Sequence, residues 1–365
     1  MVNSIKEVQS FGQSIWYDNI RRAMLVSGEL QHLVESGIMG VTSNPTIFEK
    51  AITGSQDYDE ALLGLLKREL SPEEIFEILA IDDIRTTADI LRSVYQETSG
   101  KDGYVSLEVS PSLAYEIAST VNEARRLFTA LDRPNVMIKV PATDEGIQAF
   151  ETLTAQGVNV NVTLIFSISQ YRAVAKAYIS GLEKRLAAGQ PIDTIASVAS
   201  FFISRIDSAV DAKLETAGNQ DLLGKIAIAS AKVAYKHFGE IFSGGRWEQL
   251  LSDGGQVQRP LWASTSTKNP AYPDTLYVDT LIGPDTVNTV PPATLKAFED
   301  HGQVERTLET NLEDAKAHLE QLNSLGIDLT AVTQKLLDDG VASFAKSYDD
   351  LIMSIQEKQT RLKKG

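Results

Sequence analysis

Residues 135–143, NVMIKVPAT, contain a short apolar segment with one lysine near its end. Residues 136–138 are all apolar, and the strand-ending Pro141 comes two positions after Lys139. An apolar run bounded by a breaker is typical of a strand covered on both faces. A lysine near the carboxyl end of such a strand either extends its amine into water or is buried for a chemical purpose.

The chemical purpose open to a buried lysine is nucleophilic attack. Burial lowers the pKa of an ammonium group from its ordinary value of about 10.4, because the charged form loses hydration. A neutral amine can then attack a carbonyl and form a Schiff base. For an isolated lysine the surface interpretation is the more common one. The rest of the chain favours the chemical interpretation here.

Eight apolar or β-branched runs occur along the chain, and most are followed by an amphipathic helical stretch. The predicted strands are residues 14–18, 38–44, 104–109, 136–140, 160–165, 194–200, 260–264 and 275–279. Alternating strands and helices give parallel strands with right-handed crossovers, and eight such units predict an α/β fold, the closed (β/α)8 TIM barrel. A doubly wound open sheet is the alternative, but no GxGxxG-type loop follows the first strand.

The composition changes after the eighth predicted strand. Residues 283–292 are rich in breakers and predict a loop, and the following sequence reads as helical, with apolar residues on one face of the last helix. We therefore predict a barrel catalytic domain over residues 1–292. Residues 293–365 are predicted to be additional C-terminal helices packed on the barrel within the same domain, with a frayed basic tail at 361–365. Residues 244–255 are predicted to form an inserted loop.

Composition excludes several classes of function. The net charge of −15 argues against nucleic acid or an anionic membrane as the main partner. The chain has no cysteine, and its four histidines lack ligand spacing, so disulfides and thiolate ligands are excluded and no metal site is predicted. No apolar run reaches membrane-spanning length and no signal-like segment opens the chain, which predicts a soluble cytoplasmic protein.

Polar residues cluster at the ends of the predicted strands, where barrels of this type build their active sites. They are Asp18, Thr42, Asn44, Glu108, Lys139, Asn161, Thr163, Ser200, Ser264 and Ser266. Each has a structural alternative: Asp18 as a helix N-cap, Asn44 before proline as a turn former, Thr163 as a strand residue. Their conjunction, with carboxylates and amides around a candidate amine, predicts a catalytic site.

Such a set supports carbonyl chemistry through an iminium. Lys139 attacks a ketone, and Glu108 moves the protons for loss of water through a water molecule held by Thr163. The protonated imine then accepts electrons from the bond between carbons three and four of a ketose, while Asp18 removes the proton of the C4 hydroxyl. Asn44 and Asn161 can hold sugar hydroxyls. This chemistry needs no metal.

An anionic end group of the substrate has a candidate site at residues 200–207, SFFISRID. The segment follows the sixth predicted strand and is expected to open a helix. Backbone N–H groups, the Ser200 hydroxyl and Arg205 could then hold a phosphate. Lys268, after the seventh predicted strand, is a candidate for a second cation.

Several motifs over residues 12–207 together resemble the transaldolase family. They are GQSIWYDNIRR, GVTSNPTIFEKAI, VSLEVSPSLA, IKVPAT, GVNVNVTLIFS and SFFISRID, and their combination is more specific than any one of them. The length and the motif WASTSTKNP resemble the longer bacterial and plant-type branch of this family, which is part of the class I Schiff-base aldolase superfamily. The helices beyond residue 292 carry no family motif.

The resemblance implies transfer of a dihydroxyacetone unit from sedoheptulose 7-phosphate to glyceraldehyde 3-phosphate, giving erythrose 4-phosphate and fructose 6-phosphate. The intermediate would be a covalent Schiff base on Lys139, without a cofactor. The implied partners are small sugar phosphates, and the chain would be a monomer or a homodimer.

The resemblance also implies a role for each matching residue. Asp18 would be the acid/base for carbon–carbon cleavage, and Glu108 would act through the water held by Thr163. Asn44 and Asn161 would bind the dihydroxyacetone moiety, with Thr42 as a small hydroxyl residue near Asn44. Ser200 and Arg205 would bind phosphate. Lys268 stands where a phosphate-binding arginine is familiar, preceded by Ser264 or Ser266, and Lys binds phosphate without the bidentate fork of Arg.

Two alternatives stay open at this point. One is an aldolase of the fructose 6-phosphate aldolase type, which releases free dihydroxyacetone. That branch is much shorter and has Gln and Tyr near the catalytic water, whereas this chain has Glu108 and Phe202. The other is a non-catalytic barrel that binds sugar phosphates.

Overall fold

A closed barrel of eight parallel strands, in chain order, forms the centre of the computed structural model, which describes residues 3–363. The strands are β1 (Gln13–Tyr17), β2 (Gly40–Val41), β3 (Tyr104–Glu108), β4 (Val136–Pro141), β5 (Val160–Ile165), β6 (Ser197–Phe202), β7 (Arg259–Ala263) and β8 (Thr286–Val290). β1 pairs in parallel with β8, which closes the sheet. The predicted (β/α)8 barrel is confirmed.

Helices surround the strands and continue beyond β8. They are α1 (Ser4–Ser10), α2 (Arg22–Val26), α3 (Glu29–Ser36), α4 (Pro45–Thr53), α5 (Asp59–Leu65), α6 (Pro72–Ile90), α7 (Arg92–Glu97), α8 (Ile117–Leu131), α9 (Asp144–Ala155), α10 (Ile168–Ala187), α11 (Ser204–Thr216), α12 (Ile226–Ile241), α13 (Gly245–Ser252), α14 (Leu276–Asp279), α15 (Pro292–His301), α16 (Leu312–Ser324) and α17 (Leu329–Leu362). The start of α6 shows why a helix begins at this point of the sequence. Ser71 and Glu74 form a capping box, and Pro72 occupies the first helical position.

Three sequence predictions are wrong. The predicted eighth strand at 275–279 is largely the short helix α14, in which Tyr277 and Val278 are buried. The true β8 lies inside residues 283–292, which were predicted to be a loop. The β-branched residues of β8 favour a strand, but the glycine and prolines on either side of it predict a loop. The predicted loop at 244–255 contains α13, which buries Trp247 and Leu250.

The last helix, α17, lies across the barrel. Its predicted apolar face is buried, including Leu337, Leu351 and Ile355. Near its end, Lys358 Nζ donates to Asp59 Oδ1 at 2.7 Å, which ties α17 to α5. On these contacts we propose that residues 293–365 extend the barrel domain of residues 1–292. Within this division, residues 1–2 and 364–365 lie outside the described residues, and α17 continues into the predicted tail.

A buried ion pair lies at the amino-terminal end of the barrel. Arg259 Nη1 donates to Asp102 Oδ1 at 3.0 Å, and the two side chains are 5% and 4% exposed. Arg259 Nη2 donates to Ser14 Oγ and to the Thr286 carbonyl. Asp102 also accepts from Trp16 Nε1 at 2.8 Å. The pair therefore connects β1, β7 and β8 with the segment before β3, far from the strand ends that carry the predicted site.

Among residues 3–363, no helix combines the length and the apolar character needed to cross a bilayer.

Candidate active site

A cavity of about 600 Å³ opens at the carboxyl ends of the strands. It is lined by every residue of the predicted site except Glu108, namely Asp18, Thr42, Asn44, Lys139, Asn161, Thr163, Ser200, Arg205, Ser266 and Lys268. Glu108 lies behind this lining, with Oε2 3.5 Å from Lys139 Nζ. The barrel thus brings together residues that are up to 250 positions apart in the sequence (Asp18 to Lys268).

Lys139 is buried at the centre of the site. It lies on β4, opposite Glu108 on β3 and Asn161 on β5. Its side chain is 6% exposed, and Nζ donates a 2.9 Å hydrogen bond to the Ser43 carbonyl. The surface interpretation, in which the lysine extends its amine into water, is therefore wrong. The amine is held in place beside a carboxyl group and faces the cavity.

Glu108 and Thr163 contribute buried polar atoms to the site. Burial raises the pKa of Glu108, and the positive charge of Lys139 partly opposes that effect. Thr163 Oγ1 is buried and has no hydrogen-bond partner among residues 3–363, and buried Glu108 Oε2 has only the 3.5 Å ion-pair contact with Lys139 Nζ. A buried polar atom without a partner costs about 1–3 kcal/mol, so both atoms favour a bound water or a substrate hydroxyl. This arrangement suits a proton relay through water.

Asp18 is the second carboxyl group of the site. Thr42 Oγ1 donates to Asp18 Oδ1 at 2.7 Å and lies 2.6 Å from Thr289 Oγ1. Burial raises the pKa of Asp18, while the Thr42 hydrogen bond and the charges of Lys139 and Lys268 lower it. A carboxyl group under these opposing influences can both accept and return a proton. Thr289 belongs to β8 and was missed because that strand was placed elsewhere.

The amide residues are fixed by different partners. Asn161 Nδ2 donates to Ser106 Oγ at 3.1 Å, and Ser200 Oγ donates to Asn161 Oδ1 at 2.6 Å. Asn44 caps α4, since its Oδ1 accepts from the Ile47 N–H, so its structural alternative holds while it also lines the cavity. Because Asn161 and Ser200 share a hydrogen bond, they present one polar surface on neighbouring strands.

The segment 200–207 opens a helix as expected, but its first three residues still belong to β6. Ser200 lies within β6, and α11 begins only at Ser204. The N–H groups of Ile203 and Ser204 donate to carbonyls of Ala263 and Ser264, so they are not free to bind a phosphate. Ser200 shares a hydrogen bond with Asn161, and the Arg205 side chain lines the cavity.

Arg205 and Lys268 form a positive region at the cavity mouth. Lys268 Nζ donates to Ser266 Oγ at 2.7 Å, and burial together with the charge of Arg205 lowers the pKa of Lys268. Ser264 instead pairs with Ser204 Oγ at 2.9 Å, which favours Ser266 as the partner of Lys268. Two cations that the sequence did not single out, Arg21 and Lys50, also line the cavity.

The cavity has the opposite charge balance to the whole chain. Its lining contains five cations and one carboxylate, Asp18, although the net charge of the chain is −15. A concave region of one sign attracts ligands of the other sign. The site therefore suits an anionic substrate.

Comparison with known proteins decides the family. The family described as Transaldolase/Fructose-6-phosphate aldolase matches residues 15–355, nearly the whole chain. The chain belongs to this family. The match includes most of α17, although the helices beyond residue 292 carry no family motif.

Curated relatives of this chain are named transaldolase. It is 46% identical to "Transaldolase" of Trichodesmium erythraeum over 99% of both chains. It is 48% identical to "Transaldolase" of Neisseria gonorrhoeae over 95% of this chain and 98% of the relative. It is also 48% identical to "Transaldolase" of Parafrankia sp. over 98% of both. The family and the site geometry agree on Schiff-base chemistry.

Proposed function

We propose that the chain is a transaldolase of the non-oxidative pentose phosphate pathway. It transfers a dihydroxyacetone unit from sedoheptulose 7-phosphate to glyceraldehyde 3-phosphate, which gives erythrose 4-phosphate and fructose 6-phosphate. The observation that carries this proposal is the buried amine of Lys139, 3.5 Å from Glu108, in a cavity whose mouth holds Arg205 and Lys268. The carbon unit is carried covalently, and no external cofactor takes part.

In the first half-reaction, the Lys139 amine attacks the ketone carbon of the donor. Glu108 and a water bound at Thr163 deliver and remove the protons needed to expel hydroxide as water, which leaves an iminium. Asp18 removes the proton of the C4 hydroxyl, and the C3–C4 bond breaks. The bonding electrons move into the iminium and form an enamine, while the new aldose leaves.

In the second half-reaction, the enamine carbon attacks the aldehyde of the acceptor. Asp18 returns the proton to the oxygen that develops on the former aldehyde, and hydrolysis of the iminium frees the product. Asn44, Asn161 and Ser200 hold the hydroxyl groups of the three-carbon unit. Arg205, Lys268 and Ser266 bind the phosphate of both donor and acceptor, because both sugars end in the same group.

Two other candidates are less well supported. An aldolase that releases dihydroxyacetone is not favoured, since curated relatives of nearly equal length are named transaldolases. A binding protein without turnover has no need for a buried lysine beside a buried carboxyl group, which is costly to fold. We further propose a cytoplasmic location and a monomeric or homodimeric state. We propose no nucleic-acid or membrane partner, because the net charge of the chain is −15.

Reduction of the intermediate tests this proposal. The protein is incubated with fructose 6-phosphate and borohydride, and intact and peptide masses are measured. We expect a reduced three-carbon adduct on the peptide that contains Lys139, and none in the Lys139→Met variant. Absence of an adduct in folded protein that binds the sugar phosphate would reject the Schiff base and leave the binding protein. Rapid release of dihydroxyacetone without an acceptor would instead favour the aldolase.

The pH profile tests the role of Asp18. Because burial raises its pKa, Asp18 loses its carboxylate form at a higher pH than an ordinary aspartate, whose pKa is about 3.9. We expect kcat/KM to fall on the acid side at a pH above that value. Asp18→Asn should lower kcat/KM by about 10²–10⁴-fold, the usual contribution of a general base.

Thr42→Val provides the matched variant for this profile. It keeps the shape of the side chain but removes the hydrogen bond that favours the carboxylate of Asp18. The pKa of Asp18 should rise further, so the acid limb of kcat/KM should move to higher pH. A limb that stays in place or moves to lower pH would exclude Asp18 as its origin.

A further inference from the structure

One wall of the substrate cavity comes from outside the barrel. The ring of Phe344, on α17, lines the cavity and is 5% exposed. Its centroid lies 5.9 Å from Lys139 Nζ and 5.9 Å from Arg205 Cζ. Phe344 is therefore close both to the atom that forms the covalent bond and to a cation that binds the phosphate.

The helix holds this ring rigidly. One turn before Phe344, Gly340 packs so closely on the end of β5 that a Cβ there would lie 3.1 Å from Leu164 Cδ2. One turn after it, Ser347 Oγ accepts a 2.8 Å hydrogen bond from Thr46 Oγ1 on α4. Because α17 is anchored on both sides of Phe344, the backbone that carries the ring is held against the barrel.

The proposed reaction creates a need for such a wall. After the first half-reaction, the three-carbon unit stays on Lys139 as an enamine until an acceptor arrives. If the enamine carbon takes up a proton, water can add to the iminium carbon, break the C–N bond and release dihydroxyacetone and the Lys139 amine. This side reaction consumes only water, because the proton taken up by the enamine carbon is returned when the iminium is hydrolysed, and it competes with transfer. Excluding bulk water from the site slows it.

We propose that Phe344 is a positioning residue that shields the covalent intermediate on Lys139 from bulk water and keeps the three-carbon unit bound for transfer. The inference rests on the proposed function. The aromatic face also favours a nearby cation such as the iminium, because the ring carries partial negative charge on its face. The C-terminal helix thereby sets the balance between transfer and hydrolysis.

The test compares two rates in each variant. One is the release of dihydroxyacetone from fructose 6-phosphate without an acceptor, and the other is the transfer rate with an acceptor aldose phosphate. In Phe344→Ala, we expect the ratio of release to transfer to rise by about tenfold or more, because the shielding side chain is gone. In Phe344→Leu, which keeps apolar volume but loses the ring, we expect a smaller rise of about threefold.

Leu351→Ala is the matched control on the same helix. Leu351 is fully buried and lies two turns beyond Phe344, so its truncation weakens the packing of α17 without opening the wall. Its ratio of release to transfer should equal that of the wild type. The proposal is overturned if Leu351→Ala raises the ratio as much as Phe344→Ala, or if the Phe344 variants leave it unchanged.

Two outcomes keep this test separate from that of the function. If Phe344→Ala does not fold, Phe344→Leu decides, and an unchanged ratio there overturns the proposal. If the wild type shows no transfer with any donor, the proposed function fails, whatever the Phe344 variants do.

Discussion

Lys139→Met is expected to abolish turnover while the barrel stays folded. Without the amine no iminium forms, and we expect kcat/KM to fall by at least about 10⁴-fold, because the covalent route is lost entirely. Methionine is flexible and has a similar length, so it can fill the space of the lysine stem. Transfer activity and the borohydride adduct should disappear together.

The stability of this variant should depend on pH in a defined direction. Removing the lysine leaves Glu108 buried without its cation, which raises the pKa of that carboxyl group further above its ordinary value. Below the pKa of an unfolded glutamate the neutral group adds no penalty. As pH rises toward the raised pKa of the folded state, the stability is lost, since the unfolded chain ionises more readily.

Thermal melts across this pH range provide the measurement. Near pH 5, Lys139→Met should melt at or above the wild-type temperature, because a buried charge has been removed. The difference should turn against the variant as pH rises. The double variant Lys139→Met/Glu108→Gln should lack this trend. A large loss of stability at every pH would contradict the argument.

Arg259→Met is expected to cause the largest loss of stability among the variants considered. It leaves Asp102, which is only 4% exposed, without its cation at the amino-terminal end of the barrel. Removing one partner of a buried ion pair typically costs about 3–5 kcal/mol, because the remaining charge is uncompensated. The Ser14 hydroxyl and the Thr286 carbonyl lose a donor as well. Denaturant unfolding at neutral pH measures the difference.

The neighbouring pair of Lys101 and Asp285 offers a matched surface control. These side chains also form an ion pair, at 2.8 Å, but they are 49% and 45% exposed. Lys101→Met should therefore change the free energy of unfolding by no more than about 1 kcal/mol. Arg259→Met protein that stays folded should keep its activity, since the cavity lies at the opposite end. Equal losses in the two variants would mean that burial of the pair does not matter.

Most of the barrel could be predicted because strand and helix periodicity alternate along the chain. The exception was β8, whose two threonines and two valines lie between a Gly-Pro pair and a Pro-Pro pair. Local punctuation there predicts a loop, and only pairing with β1 and β7 makes a strand. The loss of β8 also hid Thr289, so the partner of Thr42 was not foreseen.

The candidate site was predictable where burial of a charged residue is costly unless the residue has a chemical role, as for Lys139 beside Glu108. It was less predictable where a residue has an ordinary packing explanation. Phe344 falls on the apolar face of α17, and its helical spacing shows that it is buried but not what it covers. The sequence places Ser200 at the end of the sixth strand, whereas β6 continues for two more residues to Phe202. In both cases the answer depends on which residues are neighbours in space, and sequence spacing does not contain that information.

The anchoring of α17 has a consequence for the order in which the protein becomes active. The hydrogen bond between Thr46 and Ser347 joins residues 301 positions apart, and Phe344 completes the cavity from the same helix. During synthesis, Lys139 and its carboxyl neighbours are made long before the helix that covers them. A nascent chain can assemble every reacting group and still lack the wall over them. On the proposed role of Phe344, we expect efficient transfer only after α17 has been synthesised and has docked on the barrel.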